Sequence, residues 1–245
     1  MIESGKEFAS LRSRQAALHE RIRARAVELG FDAGRVAPIY DGVVDADGYL
    51  ATNPRVMWIL KEPYDDWDED GAPCGGGWTM FKDFGGGADL AKAVNRTAAL
   101  RNVAYASYAL QHGVSAYADL PWISECPEVA ESLLRTAFVN VSKMPALPST
   151  DESRLGHRYE DWKDILFDQI ELYDPTVIVF GNTFHRFAPD MGLSPAEPVK
   201  KIRVGGSSVD VHEWRGKRLL WAPHPAAHIP PAEWVDSVLV AVRNP

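Results

Sequence analysis

RVMWILKEPYD, residues 55–65, is the stretch that decides the fold. Pro54 precedes a short apolar run, residues 55–60, which stops abruptly at Lys61-Glu62-Pro63, where polar chemistry begins. A run of that length, bounded in that way, reads as a buried strand. Three similar runs follow: AFVNVS (137–142), TVIVF (176–180) and RLLWAP (218–223). Helical patterns separate them. Residues 88–112 carry the stripe Leu90, Val94, Leu100, Val103 and Leu110, residues 159–173 are amphipathic, and a last helix starts near Pro231. This alternation predicts an α/β protein, a three-layer α/β/α arrangement around a central, mainly parallel four-stranded sheet. The strands end in turn at Glu62, Asn140, Gly181 and His224, and in a parallel sheet such ends share the edge where ligands bind.

The flanking segments are simpler. Phe8, Leu11, Leu18, Ile22 and Leu29 recur at helical spacing before Gly30, so residues 1–30 form an N-terminal helical extension to a single domain spanning 1–245. IYDGVVDADGYL (39–50) reads as a short hairpin turning at Asp47-Gly48. Residues 71–87 hold seven glycines and read as a mobile loop. VDVHEW and RLLWAP read as a hairpin or as successive strands, and Gly181-Asn182 opens a short helix.

Composition narrows the classes. The 245 residues are 46% hydrophobic and 24% charged, a globular balance that excludes global disorder. No apolar run reaches the ~20 residues of a membrane span, and the opening MIESGKEFASLRSRQ lacks the apolar core of a secretory signal. Two cysteines, Cys74 and Cys126, cannot build a four-thiolate cluster or a disulfide framework, and the expected location is the cytoplasm. Net charge is −8, but EPYDDWDED (62–70) alone holds six acids and no base. Residues 11–30 and 200–218 are locally basic, which leaves cationic surfaces on an acidic protein.

The expected cleft gathers a carboxylate (Glu62), an amide (Asn140), a lysine (Lys143) and an imidazole (His224). No serine or cysteine stands at a strand end beside a base, and no phosphate-cradling glycine motif follows a strand. The set suits bond cleavage in which a carboxylate directs water or steadies a cation and an imidazole steadies a departing anion.

WILKEPYD, FVNVSKMP, VIVFGN and APHPAAH, in this order across residues 55–230, resemble the uracil-DNA glycosylase superfamily. The resemblance implies a DNA glycosylase that flips a pyrimidine, uracil by default, and leaves an abasic site; small Ala226 and Ala227 and the seven glycines of 71–87 leave space beyond C5 for the alternative, a bulky C5-modified cytosine as in phage DNA. It implies Glu62 and His224 as catalytic, Asn140 as the reader of the base, and Tyr64 as the wall beside C5. Phe81 or Trp78 would stack on the base, and Lys61 would add a donor where uracil enzymes have glutamine. DNA would be met by Lys143, by Gly181-Asn182 at a helix N-terminus, and by His228 or Ile229 as the wedge. DNA is the expected partner, with no metal, cofactor, membrane or obligate protein partner. The role would be repair or antiphage defence. Two rivals stay open: a catalytically silent nucleic-acid-binding module, and a metal-dependent hydrolase using the acids of 65–70.

Overall fold

The computed structural model describes residues 2–32, 34–84, 86–147 and 149–243, with side chains from Leu11 onward; Phe8 of the expected stripe lies outside the described side chains. In chain order the elements are α1 (Ile2–Glu28), α2 (Ala46–Ala51), β1 (Val56–Leu60), β2 (Asp66–Trp67), β3 (Pro73–Cys74), α3 (Gly87–Arg96), α4 (Ala98–His112), α5 (Glu128–Glu131), β4 (Ala137–Asn140), α6 (Glu152–Tyr173), β5 (Val177–Gly181), α7 (Phe184–Phe187), β6 (Lys200–Val204), β7 (Ser207–Trp214), β8 (Lys217–Ala222) and α8 (Pro231–Arg243).

The sheet is α/β as expected but has six strands, not four, in the order β4-β1-β5-β8-β7-β6. The four expected strands form its contiguous parallel block. β7 and β6 extend it by antiparallel pairing beyond β8. β6 escapes a hydrophobicity reading because of its five residues only Ile202 is buried. β1 sits inside the block and is buried along its whole length, as a strand covered on both faces must be. Its side chains alternate between two cores. Val56, Trp58 and Leu60 pack with α3, α4, α5 and α8. Met57 and Ile59 pack with α1, α6 and α7. Helices thus cover both faces, giving the three layers. Ile22 of α1 is fully buried, a contribution of about 1.5–3 kcal/mol from one side chain.

Three local expectations are corrected. Residues 46–51 form the helix α2 rather than a hairpin, because the Asp45 carboxylate accepts the Gly48 N–H (2.9 Å) and caps the turn. The helix expected over 88–112 is two helices, broken where Thr97 adopts an extended conformation. The glycine-rich segment is tied down rather than free. Ala37 N–H donates to Gly75 O (2.8 Å), Tyr40 N–H to Trp78 O (3.0 Å), and Met80 N–H to Tyr40 O (2.7 Å). No helix among the described residues is long and apolar enough to cross a membrane.

Candidate active site

The chain leaves β1 for β4 on one side and returns to β5 on the other, so the order in which strands are added reverses at β1 while the strands stay parallel. That is where open α/β sheets bind ligands. A cleft of about 560 Å³ opens at this edge, lined among others by Lys61, Glu62, Tyr64, Asn140 and His224. Residues more than 160 positions apart in sequence, Lys61 and His224 among them, meet there.

Glu62 is placed by the exits of two neighbouring strands. Parallel pairing continues past the sheet, with Ser142 N–H donating to Lys61 O (3.0 Å) and Ala146 N–H to Pro63 O (2.8 Å). The Glu62 side chain is only 4% exposed, and Arg154 Nη2 stands 4.0 Å from Oε1. Oε1 is buried without a hydrogen-bond partner. Burial pushes the carboxyl above its usual value, opposed by the charge of Arg154, a hydrogen bond from Thr150 and the charge of Lys61.

His224 follows β8 in a turn pinned on both sides. Trp234 Nε1 donates to Pro223 O (3.0 Å) and Asn102 Nδ2 to Pro225 O (2.8 Å). The Ala226 N–H donates to His224 Nδ1 (3.2 Å). Nδ1 must then lack a proton, which leaves the neutral ring its single N–H at Nε2. Burial, and then the nearby Lys61 charge, pull the imidazole down to about 4, so it is neutral at pH 7.

Asn140 ends β4, the edge strand, and is 3% exposed. Phe138, two residues earlier, projects to the same face and also lines the cleft. Trp78 and Phe84 complete an aromatic wall, their rings 5.5 Å apart. Trp78 is oriented by Asp65, whose Oδ2 accepts its Nε1–H (2.8 Å). Phe81 is not part of this wall. It is fully buried and packs edge-on against Phe138 at 4.9 Å. Tyr64 lines the cleft and is 53% exposed. Lys61 also lines it, its ammonium bound by Glu152, which accepts from Arg186 as well (2.6 Å).

Several expected contacts are placed elsewhere. Lys143, expected to reach a phosphate or a base, is completely buried and bonded to Asp41, Asn140 O and Gln169. No proton of that ammonium is left for an external anion. Gly181 and Asn182 do not open an anion-binding helix. α7 has only four residues, and Thr183 before it is buried, bonding Ile59 O (2.9 Å). Gly181 instead allows close packing, since a Cβ there would meet Leu60 Cδ2 at 2.5 Å. Asn182 takes a left-handed turn (φ 59°), its N–H donating to Ala222 O (2.9 Å). Ile229 packs against the α4/α8 core, while His228 is exposed in the loop after His224.

Two of the acids of 65–70 are engaged by neighbouring backbone and side chains. Asp65 takes Trp78 and the Gly76 N–H (2.7 Å), and Asp68 takes Arg35 and the Ala72 N–H. Among the described residues no group of three or more His, Cys, Asp or Glu could hold a metal ion.

Phe138, Phe84, Thr150 and Arg154 were not expected in the site. Phe138 had a signal, its strand period with Asn140. The others reach the cleft from loops and from α6, by contacts that no local pattern encodes. The chain matches no protein-family model and no curated protein.

Proposed function

We propose that the protein is a DNA glycosylase that hydrolyses the N-glycosidic bond of a flipped pyrimidine nucleotide. One observation carries this reading: a buried, under-partnered carboxylate shares a cleft with a neutral imidazole whose remaining proton is on Nε2. Cleavage of the bond sends its electron pair to the base and leaves positive charge on the sugar. Glu62 faces that cation and accepts the proton of the water that adds to C1′. The Nε2–H of His224 donates to a carbonyl oxygen of the departing anion, a fixed donor aimed at the charge that develops there. The water proton passes finally to the free base, and the DNA keeps an abasic sugar. Asn140 offers one donor and one acceptor set to the base edge, and the aromatic wall offers a stacking surface for an extruded base.

The size of the cleft bears on the substrate. About 560 Å³ falls in the range of roughly 300–1,000 Å³ that accommodates drug-sized ligands, more than a plain pyrimidine occupies. The break at Thr97 brings Ala93, Thr97 and Ala99 to its lining, small residues that leave room beside the base. The reading therefore includes bulky C5-substituted pyrimidines as substrates, with uracil the alternative. Tyr64, half in solvent, does not oppose it.

Substitution separates chemistry from binding. Glu62→Gln removes the charge and keeps the shape, so base release falls steeply while affinity for an abasic-site duplex persists. His224→Ala slows release by about 10²–10³-fold, the typical cost of one preorganised donor. Wild-type turnover in Glu62→Gln removes that residue from the mechanism.

A further inference from the structure

We propose that the buried Asp41–Lys143 ion pair is a positioning device for Asn140, holding the backbone of the base-reading residue where an edge strand has no neighbour. The proposal rests on the glycosylase reading for what Asn140 does. β4 pairs with β1 on one side only. On that side the Val141 N–H donates to Leu60 O (2.9 Å), so the polar groups of Asn140 itself point outward, away from the sheet. Both are taken by the ion pair. The Asn140 N–H donates to Asp41 Oδ2 at 2.6 Å, and Lys143 Nζ donates to Asn140 O at 2.8 Å. The two charges are joined to each other at 2.9 Å and bridged by Gln169, which accepts from Lys143 and donates to Asp41, both at 2.8 Å. Asp41 and Lys143 are 1% and 0% exposed.

The clamp is itself braced. Phe138 N–H donates to Gly42 O (3.0 Å), so residues 41–42 run beside β4 as a fragment of a missing strand. Gln15 of α1 grips both backbone groups of Val43, at 2.9 and 3.0 Å. His19 of the same helix meets Asp41 O at 3.0 Å. The N-terminal helix thereby supports the cleft without reaching it. A buried ion pair is a costly way to fill a core. Here the two opposite charges fix the N–H and the C=O of one residue, in the two peptide units that flank it.

A mutant cycle tests this. Removing one charge strands the other in the core, so the informative variant is the pair Asp41→Leu/Lys143→Met, compared with Asn140→Ala and with the triple variant. Single-turnover base release in the paired variant should fall at least tenfold, with unchanged affinity for an abasic-site duplex. In the Asn140→Ala background the paired change should cost nothing further, because the clamp acts through Asn140. An undiminished rate in the folded paired variant, or the full loss repeated in the Asn140→Ala background, overturns the proposal. If the paired variant does not fold, Gln169→Leu replaces it, with a loss of about threefold expected and the same non-additivity required. Amide hydrogen exchange supplies a readout independent of activity. The Asn140 N–H should exchange as slowly as the amides of β1 in the wild type, and rapid exchange there also overturns the proposal. A wild type that releases no base defeats the glycosylase reading, and the clamp is then decided by exchange alone.

Discussion

Glu62 and His224 are moved in opposite directions by one cause, since burial disfavours whichever form carries charge. The carboxyl goes up from 4.5 and the imidazole goes down to about 4. On the glycosylase reading, base release needs Glu62 ionised, with His224 donating through Nε2 as a neutral ring. On acidification Glu62 is therefore the first to fail, and the acid limb of the pH–rate profile reports the carboxyl. Arg154→Ala removes the leading influence that holds this carboxyl down, so single-turnover profiles should show the limb displaced to higher pH. A limb that stays in place detaches it from Glu62. His224 also links to stability. Between pH 6.5 and about 4 the unfolded ring takes a proton that the folded ring refuses, so the fold loses stability as pH falls through that window. Glu62, Asn140 and His224 were legible in the sequence because each stands where an apolar run ends. Lys143 was not. Its partner Asp41 lies 102 positions away, and nothing local distinguishes a lysine bound in the core from one in solvent.

Elements were legible where hydrophobic runs were continuous, and misread where a single residue decides, by a side-chain hydrogen bond at Asp45 and by backbone conformation at Thr97. Asp45 turns an expected hairpin into α2, and an extended Thr97 splits one expected helix into two. The glycine-rich stretch composed like a mobile loop is laced to residues 35–40, and Gly76 shows why glycine is required there. Its φ is +83° and a Cβ would lie 1.9 Å from Ala37 O. At Gly71 (φ +75°) the surrounding space is open. Gly71→Ala should cost about 1–2 kcal/mol from backbone conformation alone. Gly76→Ala should cost clearly more, because the strand-like contact with Ala37 must also open. Urea unfolding of the two variants measures the difference, and equal costs would mean that this contact does not fasten the loop.

At the scale of the molecule, the basic stretches seen in the sequence are largely spent internally. Arg21 and Arg25 of α1 bind Asp164 and Asp168 of α6, which fastens the helix to its layer. Lys201 pairs with Asp210 at 3.3 Å on β6, the strand farthest from β4. Around the cleft the cations are Lys61, Arg154 and Arg186, with Lys61 and Arg186 sharing Glu152. If the proposed DNA substrate is bound by a protein of net charge −8, duplex affinity should fall with salt but with a shallow slope, because few cations face the cleft to neutralise phosphates. Arg154→Glu should weaken binding more than Lys201→Glu, as filter-binding titrations would show. The reverse order would move the DNA surface to the β6 edge.

The most direct test incubates the purified protein with duplexes carrying cytosine, uracil, 5-hydroxymethylcytosine or glucosylated 5-hydroxymethylcytosine, in the presence of EDTA. Alkali then converts abasic sites to strand breaks. The glycosylase reading predicts breaks at one or more modified bases, with free base in solution, and none with Glu62→Gln. Intact strands on every duplex, or breaks that Glu62→Gln leaves undiminished, would contradict it.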